Sequence, residues 1–166
     1  MAEHLLEVTD LVTAYSGRSV FRRGEPVRAV DGISLTVDAG EVLAIVGESG
    51  CGKTSAVQTI LRMVDAASGS IVFEGEDVTR IPERGLRRMR RGMQMVYQDP
   101  YESLDPRFTV RDTMTEPLLV HERRLSRGER DERIARALET VSLAPAESYL
   151  DRYPHELSGG QRQRVA

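Results

Sequence analysis

The sequence predicts an α/β fold in which antiparallel strands lead into a glycine-rich strand, loop and helix, and a helical region follows. Three observations predict it. Apolar and polar residues alternate over 27–37, a glycine-rich loop at 47–54 lies between an apolar run and a helix-like segment, and helix-capping patterns occur after position 101. We therefore expect the first half of the chain to hold the sheet and the second half to hold the helices.

Composition limits the class of protein. A length of 166 residues corresponds to one ordinary domain or slightly more, and a hydrophobic content of 40 % is enough for a core. The net charge of −3 argues against a dedicated nucleic-acid-binding protein. One cysteine cannot form an internal disulfide, and the first residues do not resemble a signal peptide, so we expect a reducing cytoplasmic setting. No apolar run approaches the roughly 20 residues needed to cross a bilayer, so any membrane association is expected through a partner.

Besides the apolar run that leads into the loop at 47–54, two strands are predicted before it and two after it. Residues 5–15 predict a strand, followed by a polar loop over 16–25. The alternation over 27–37 predicts a half-buried strand. The segment 71–73 predicts another strand, closed by a turn at Glu74 and Gly75, and 93–97 predicts a strand that ends at Gln98.

The loop at 47–54 carries the strongest chemical signal. Its sequence GESGCGKT matches the phosphate-binding pattern GxxxxGK(S/T), known as the P-loop. The apolar run 42–46 predicts a buried strand before it. The segment 55–64 predicts a helix after it, with Val57, Ile60, Leu61 and Val64 on one face. An ordinary glycine-rich turn is the alternative, but strand, loop, lysine, hydroxyl and helix together favour phosphate binding.

Each part of this loop has a chemical role in that interpretation. Its glycines let backbone N–H groups point at phosphate oxygens, and the start of the helix adds partial positive charge. Lys53 would reach the β and γ phosphates, and the Thr54 hydroxyl would bind Mg²⁺. The predicted ATP-binding residues of this segment are Gly47, Glu48, Ser49, Gly50, Cys51, Gly52, Lys53, Thr54 and Ser55.

An arginine cluster lies between 82 and 91. It could bind phosphate or nucleic acid, but its helical spacing and the acidic chain favour a solvated helix face. Its members are Arg84, Arg87, Arg88, Arg90 and Arg91.

Two helix starts are predicted in the second half of the chain. Thr109 with Asp112 and Ser126 with Glu129 fit N-caps with an acid in the first turn. Behind the second cap, Ile134, Leu138 and Val141 repeat at helical spacing and are expected to pack.

The stretch LSGGQ at 157–161 is the second informative motif. A serine, two glycines and a following helix form a second group of N–H donors suited to an anion. By itself, this stretch could also be an ordinary helix cap.

Taken together, the motifs resemble those of the nucleotide-binding subunit of ABC transporters. The P-loop, the strand-ending Gln98 and LSGGQ occur in that family's order, and the gap between P-loop and LSGGQ fits its small helical subdomain. The segments 97–107 and 152–157 are similar to those of importers of dipeptides and oligopeptides, whose relatives carry nickel, glutathione or other small solutes. The resemblance implies a P-loop NTPase (ABC ATPase) fold, with an ATP-binding core and antiparallel β subdomain over 1–98 and an α-helical subdomain over 99–166.

The resemblance also assigns roles to single residues. Tyr15 matches the aromatic residue that stacks on adenine; core packing is its alternative role, and Phe21 is a second candidate. Gln98 matches the glutamine that contacts Mg²⁺ and the surroundings of the attacking water, unless it is only a polar residue at a strand end. Cys51 is interpreted as a small residue whose backbone N–H binds, and His155 is not a catalytic candidate.

The second motif is expected to act across a dimer. Ser158, Gly159, Gly160 and Gln161 match the signature that contacts ATP bound to the opposite subunit. The resemblance therefore implies a second ABC ATPase subunit, either a copy of this chain or a paralogue.

The family's later motifs have no counterpart here. Its Mg²⁺-binding aspartate, catalytic glutamate and switch histidine follow the signature, and the nearest imitation, 71–74, is out of order. We therefore expect binding of ATP and Mg²⁺ without hydrolysis and no catalytic residue in this chain. The C-terminal part of the family fold is expected to be missing, which would leave 42–46 unpaired and the chain marginally stable, aggregation-prone or completed by another segment.

The resulting functional hypothesis is an ATP-binding subunit of a peptide importer at the cytoplasmic face of the inner membrane. Its implied partners are transmembrane permease subunits and, indirectly, an extracytoplasmic solute-binding protein, with no nucleic acid. Two alternatives remain: a soluble ABC-type ATPase of DNA repair or translation, and a fragment without function.

Overall fold

The computed structural model describes residues 4–15, 18–19, 22–23, 26–97 and 103–166. The chain divides into two compact units, Met1–Gln94 and Met95–Ala166. Phe21 and Gln98, which were predicted as site residues, lie outside the described residues. The functional assignment of 1–98 and 99–166 stays a prediction.

The first unit is built on an antiparallel sheet. Its strands are β1 (Leu6–Tyr15), β4 (Val27–Val37), β5 (Ser68–Phe73) and β6 (Glu76–Asp77), in the order β4-β1-β5-β6. A separate two-stranded ribbon pairs β2 (Arg18–Ser19) with β3 (Arg22–Arg23). The predicted strands over 5–15, 27–37 and 71–73 are confirmed.

A bulge in β1 brings the sheet backbone close to β5. The registers of β1 with both neighbouring strands shift between Val8 and Val12, where Asp10 adopts a φ of 48°. A Cβ on Gly69 would lie 2.5 Å from the carbonyl oxygen of Asp10, so only glycine fits there. The bulge leaves Val8 and Leu11 both buried on the core side.

Two helices complete this first core. Helix α1 covers Lys53–Ile60 and α2 covers Glu83–Gly92. Helix α1 therefore starts two residues before the predicted 55–64 helix and ends earlier, because Arg62 turns the chain with a φ of 55°. The buried members of the core are Val8, Leu11, Ile60, Ile71, Val78, Leu86 and Met89.

The strands predicted at 42–46 and 93–97 are absent, whereas the expectation that 42–46 would be left unpaired is confirmed. Neither segment carries β pairing, and the side chains of Val42 and Val46 are 93 % and 87 % exposed. The physical reason is that a strand exists only beside a hydrogen-bonded neighbour, and the described residues supply none for these segments. Apolar composition alone therefore overestimated the sheet.

The segment 42–46 nevertheless keeps the side-chain pattern of a strand. Leu43 and Ile45 are 45 % and 41 % exposed, about half the values of Val42 and Val46. Both line a cavity of about 370 Å³, whose other walls include Leu35, Ile60 and Phe73. Alternate side chains are thus partly shielded without the backbone ladder, although both remain exposed.

The second unit consists of helices. They are α3 (Val110–His121), α4 (Arg127–Thr140), α5 (Glu147–Leu150), a 3₁₀ turn (Pro154–Glu156) and α6 (Gly159–Val165). Ile134 and Leu138 are buried, which confirms their predicted packing role, and Val141 packs at the edge of the core. The remaining buried members of this core are Val110, Leu143, Ala146, Leu150 and Leu157.

Both predicted N-caps are confirmed, and each forms a capping box with the acid three residues later. The Thr109 hydroxyl accepts from the Asp112 backbone N–H at 3.1 Å, and the Thr109 N–H donates to the Asp112 carboxylate at 3.1 Å. Ser126 and Glu129 form the same pair of bonds at 3.3 and 2.7 Å. Hydrogen bonds from Thr109 hold the pKa of Asp112 below its usual value, and those from Ser126 do the same for the pKa of Glu129.

Leu138→Ala tests the helical core. Leu138 is fully buried, so truncation should lower the free energy of unfolding by about 2–5 kcal/mol. Leu119→Ala is the matched control, because Leu119 lies on α3 and is 45 % exposed; its cost should stay below about 1 kcal/mol. Urea denaturation followed by circular dichroism measures both. Equal losses in the two variants would contradict the assigned core.

The capping boxes predict a pH dependence. Because folding lowers the pKa of Asp112 and Glu129, their stabilisation is complete above the unfolded pKa values of about 4 and disappears as the pH falls through the lowered values. The drop in thermal midpoint between pH 6 and pH 3 should therefore be smaller in Asp112→Asn/Glu129→Gln than in the parent chain. Glu139→Gln, which changes another glutamate of α4, is the control. An unchanged drop in the double variant would refute the assignment.

Candidate functional site

The glycine-rich loop links the segment 42–46 to helix α1. A turn forms where the Cys51 N–H donates to the Glu48 carbonyl at 3.3 Å. Gly50 and Gly52 adopt left-handed φ values of 81° and 95°. The predicted succession of loop and helix is therefore present, although the residues before the loop form no strand.

Gly52 fixes the loop against the sheet. A Cβ at this position would lie 2.1 Å from the carbonyl oxygen of Ala29 in β4. Gly52 is also the N-cap of α1, and no side chain caps this helix. Its first backbone N–H groups therefore lack side-chain acceptors, and they carry the positive end of the helix dipole.

The Lys53 ammonium folds back over the loop. Its Nζ donates to the carbonyl oxygens of Gly47 at 2.8 Å and Glu48 at 2.7 Å, and it lies 3.6 Å from the Cys51 Sγ. Lys53 is the only lysine in the chain. Two carbonyl acceptors hold this single ammonium beside the uncapped start of α1, so cationic and N–H donors converge on one place.

The remaining loop residues are accessible. Thr54 is exposed on the first turn of α1, and Glu48, Ser49 and Cys51 are exposed in the loop, while Ser55 is half-buried. Within the described ranges, no group of three or more His, Cys, Asp or Glu side chains could hold a metal ion. The Thr54 hydroxyl nevertheless fits Mg²⁺, which typically takes few protein oxygens together with phosphate oxygens and water.

Tyr15 is the last residue of β1 and is paired with Val27 of β4. Its side chain is 40 % exposed, so it does not belong to the buried core and the core-packing alternative is disfavoured. An exposed ring at a strand end can offer a face to a planar ligand. Its contact with adenine stays a prediction.

The LSGGQ stretch forms a capped helix start. The Ser158 hydroxyl accepts from the Gln161 backbone N–H at 3.2 Å, and the Ser158 N–H donates to the Gln161 Oε1 at 2.9 Å. Leu157 anchors the motif in the helical core, and Gly159 and Gly160 are the exposed first residues of α6. Locally, LSGGQ is therefore the helix cap that the sequence analysis gave as the alternative. The backbone N–H groups of Gly159 and Gly160 are open to solvent.

Sequence reasoning missed an aromatic pair just before this motif. The rings of Tyr153 and His155 stack with centroids 5.6 Å apart, and the Arg152 guanidinium lies 5.2 Å from the Tyr149 ring centroid. Two aromatic residues separated by one proline could have indicated this pair, because the proline ring fixes the backbone between them.

Comparison with known families decides the identity of the fold. The family model described as ABC transporter matches residues 30–166, which include both the P-loop and LSGGQ. The chain belongs to the ABC transporter family. The family expected from the order of its motifs is therefore confirmed.

Several curated relatives of this ABC family member are transport ATP-binding proteins. The oligopeptide transport ATP-binding protein AppF of Bacillus subtilis is 44 % identical over 166 residues, covering 98 % of this chain and 50 % of the relative. The di/tripeptide transport ATP-binding protein DppF of Pseudomonas aeruginosa is 41 % identical, with coverages of 99 % and 50 %. The glutathione import ATP-binding protein GsiA of Pectobacterium atrosepticum is 44 % identical, with coverages of 99 % and 26 %. The chain thus spans half or less of the length of these relatives.

Solved ABC structures share the fold. The ATP-binding cassette MJ0796, in a dimeric post-hydrolysis state bound to ADP and Pi, superposes with a TM-score of 0.78 at 25 % identity, covering 96 % of this chain and 66 % of that chain. The structure of cbiO1 from Clostridium perfringens, part of the ABC transporter complex cbiONQ, gives 0.75 at 26 % identity, covering 98 % and 59 %. The predicted ABC ATPase fold class is therefore confirmed. None of the helices in the described part of the chain is both long and apolar enough to span a bilayer.

Gly52→Ala tests the geometry of the loop. Alanine at Gly50 should cost about 1–2 kcal/mol of unfolding free energy, because its left-handed φ is strained although the space around it is open. Alanine at Gly52 should cost more, because the same strain adds to an overlap with the Ala29 carbonyl. Urea denaturation of both variants measures the difference. If Gly50→Ala proved equally or more damaging, the close approach of loop and sheet would be disproved.

Proposed function

We propose that this chain is the ATP-binding portion of one subunit of an ABC importer. The importer takes up dipeptides or oligopeptides. The observation that carries the proposal is the position of the Lys53 Nζ, held by the Gly47 and Glu48 carbonyls at the uncapped start of α1. This convergence of one cation with a set of backbone N–H donors supports the binding of a polyphosphate.

The loop recognises the phosphates chiefly through charge and backbone. Lys53 contacts the β and γ phosphates, and the N–H groups of 50–55 surround them. The Lys53 Nζ has three protons, so it can keep a carbonyl acceptor and still donate to a phosphate. Tyr15 supplies a face for adenine at the end of β1.

Thr54 and Gln98 are the residues that would hold Mg²⁺. Bound there, the ion would neutralise charge on the phosphates. The Thr54 hydroxyl oxygen on the first turn of α1 is a hard ligand of the kind the ion prefers. Gln98 is proposed as the second Mg²⁺ ligand because it matches the corresponding glutamine of the family pattern.

The LSGGQ segment serves the nucleotide of a second subunit. Ser158 and Gln161 bind each other in the capping box, which fixes the start of α6 and presents the Gly159 and Gly160 N–H groups to the outside. A phosphate held by the partner's P-loop can accept from these donors. The dimeric state of the cassette MJ0796 supports such an arrangement.

The transport class rests on the relatives. AppF and DppF are named as oligopeptide and di/tripeptide transport ATP-binding proteins, and both match nearly the whole of this chain. We infer that the subunit works at the cytoplasmic face of the inner membrane, with permease subunits that receive the motion through Gln98 and the helical subdomain. A solute-binding protein outside the membrane delivers the peptide to those permease subunits.

This chain is proposed to bind ATP without hydrolysing it. Among the described residues, the closest imitation of an apolar strand ending in an acid is 71–74, and Glu74 lies in the turn between β5 and β6 with a φ of 51°. A hairpin turn between antiparallel strands does not match the acid that follows the signature in the family pattern. The carboxylate that activates water is therefore expected in a part of the family fold beyond LSGGQ.

Binding of a fluorescent ATP analogue with Mg²⁺ tests the proposal. The chain should bind saturably, and Lys53→Ala should weaken binding about tenfold or more, because a charge-assisted hydrogen bond contributes about 1.5–3 kcal/mol. Arg123→Ala, an exposed arginine in the other unit, is the control and should change nothing. Phosphate release should stay at background in the same samples.

The single lysine makes the test sharper. An acyl phosphate derived from ATP should acylate Lys53, and excess ATP should protect it, as read by mass spectrometry of the peptide containing position 53. Equal binding by the parent chain and Lys53→Ala would overturn the assignment of the site. Turnover that Lys53→Ala abolishes would overturn the expected lack of hydrolysis.

A further inference from the structure

Four arginines line the exposed face of helix α2. Arg84, Arg87, Arg88 and Arg91 occupy positions i, i+3, i+4 and i+7, so they share one side of the helix; we name them the arginine stripe. All four are exposed. The opposite side is anchored in the core of the first unit by the buried side chains of Leu86 and Met89, so the stripe is held facing outward.

The stripe concentrates positive charge in an acidic protein. Between positions 80 and 91 there are six arginines and one glutamate, whereas the whole chain has a net charge of −3. Neighbours three and four residues apart repel each other within the stripe, which destabilises the helix by a few tenths of a kcal/mol for each pair. A local arrangement that costs stability, with no gain in packing, is characteristic of a binding surface.

Two members of the stripe, Arg84 and Arg87, lack a compensating partner among the described residues. Arg88 pairs with the carboxylate of Glu76 on β6, and both side chains are largely exposed. Arg84 and Arg87 have no ion pair or hydrogen bond with any residue in the described ranges. Two adjacent guanidinium groups at the beginning of the stripe therefore remain available to a ligand.

We propose that the arginine stripe docks an acidic segment of a protein partner. The stripe extends over about 10 Å, since seven residues of helix rise about 1.5 Å each, and this length matches two turns of a helix with carboxylates at the same spacing. Arg88 already binds a carboxylate on this surface. Guanidinium groups bind carboxylates through paired, directional hydrogen bonds, so such a partner would be held in a defined register.

The structure favours an acidic protein over a membrane surface. Helices that lie on lipid combine basic residues with large apolar side chains that insert between headgroups. The described side chains of α2 include no exposed large apolar residue, because Leu86 and Met89 are buried in the core. The stripe thus offers charge without an inserting group. This surface is separate from the residues of the nucleotide site, so it would be additional to ATP binding.

A synthetic helical peptide provides the probe. It carries glutamates at positions i, i+3, i+4 and i+7 and a fluorescent label, and its control carries glutamines there. In fluorescence anisotropy at low salt, the full chain should bind the glutamate peptide, and Arg84→Glu/Arg87→Glu should weaken binding about tenfold. Arg123→Glu/Arg124→Glu, which reverses two exposed arginines before α4, should change binding less than about twofold.

Charge exchange and folding controls complete the test. A peptide with lysines at the four positions should bind Arg84→Glu/Arg87→Glu more tightly than it binds the parent chain. Removing repulsion should leave the thermal midpoint of the variant unchanged or raised; if the variant unfolds, Arg84→Gln/Arg87→Gln replaces it in the same assay. Equal losses in the test and control variants would overturn the proposal. The proposal would also be overturned if the chain bound phosphatidylglycerol vesicles or duplex DNA more tightly than the glutamate peptide and this binding were lost in Arg84→Glu/Arg87→Glu.

Discussion

The close approach of the Gly52 backbone to the Ala29 carbonyl is the constraint on which the candidate site depends. No side chain fits between the two, because a Cβ on Gly52 would lie 2.1 Å from that oxygen. The start of α1 is thereby fixed against β4, and Lys53 follows directly in the chain. The position of the ammonium over the Gly47 and Glu48 carbonyls thus follows from a contact between backbone and backbone.

Features specified by neighbouring residues could be predicted from the sequence. The capping boxes at Thr109 and Ser126 require only a hydroxyl and an acid three residues apart, and both formed as expected. The loop at 47–54 was equally predictable, since its residue pattern specifies its own turn and the helix start that follows. The contacts of Lys53 with two carbonyls could not be foreseen, because they depend on the path of the loop in three dimensions.

Features that depend on distant partners could not be predicted from local patterns. The segments 42–46 and 93–97 have the apolar composition of strands, but hydrogen bonds to a neighbour decide whether a strand exists. In 42–46 the side chains of Leu43 and Ile45 face the cavity lined by Leu35 and Ile60, whereas Val42 is almost fully exposed. Hydrophobic burial and backbone pairing are therefore separable, and here the first is partly satisfied while the second is absent among the described residues.

The two glycine-rich helix starts, those of α1 and α6, differ in the charge and the hydrogen-bond donors that they offer to an anion. Helix α1 begins after a left-handed glycine with no capping side chain, so in the proposed site Lys53 and the N–H groups of the first turn would bind an anion together. Helix α6 begins with a capping box in which the Ser158 hydroxyl and the Gln161 Oε1 only accept, so the Ser158 O–H, the Gln161 amide N–H groups and the Gly159 and Gly160 N–H groups can still donate to a ligand. The first start combines a full positive charge with backbone donors, whereas the LSGGQ residues of the second offer uncharged donors alone. This difference agrees with the proposed function, in which the first start holds a polyphosphate and the second contacts one held by another subunit.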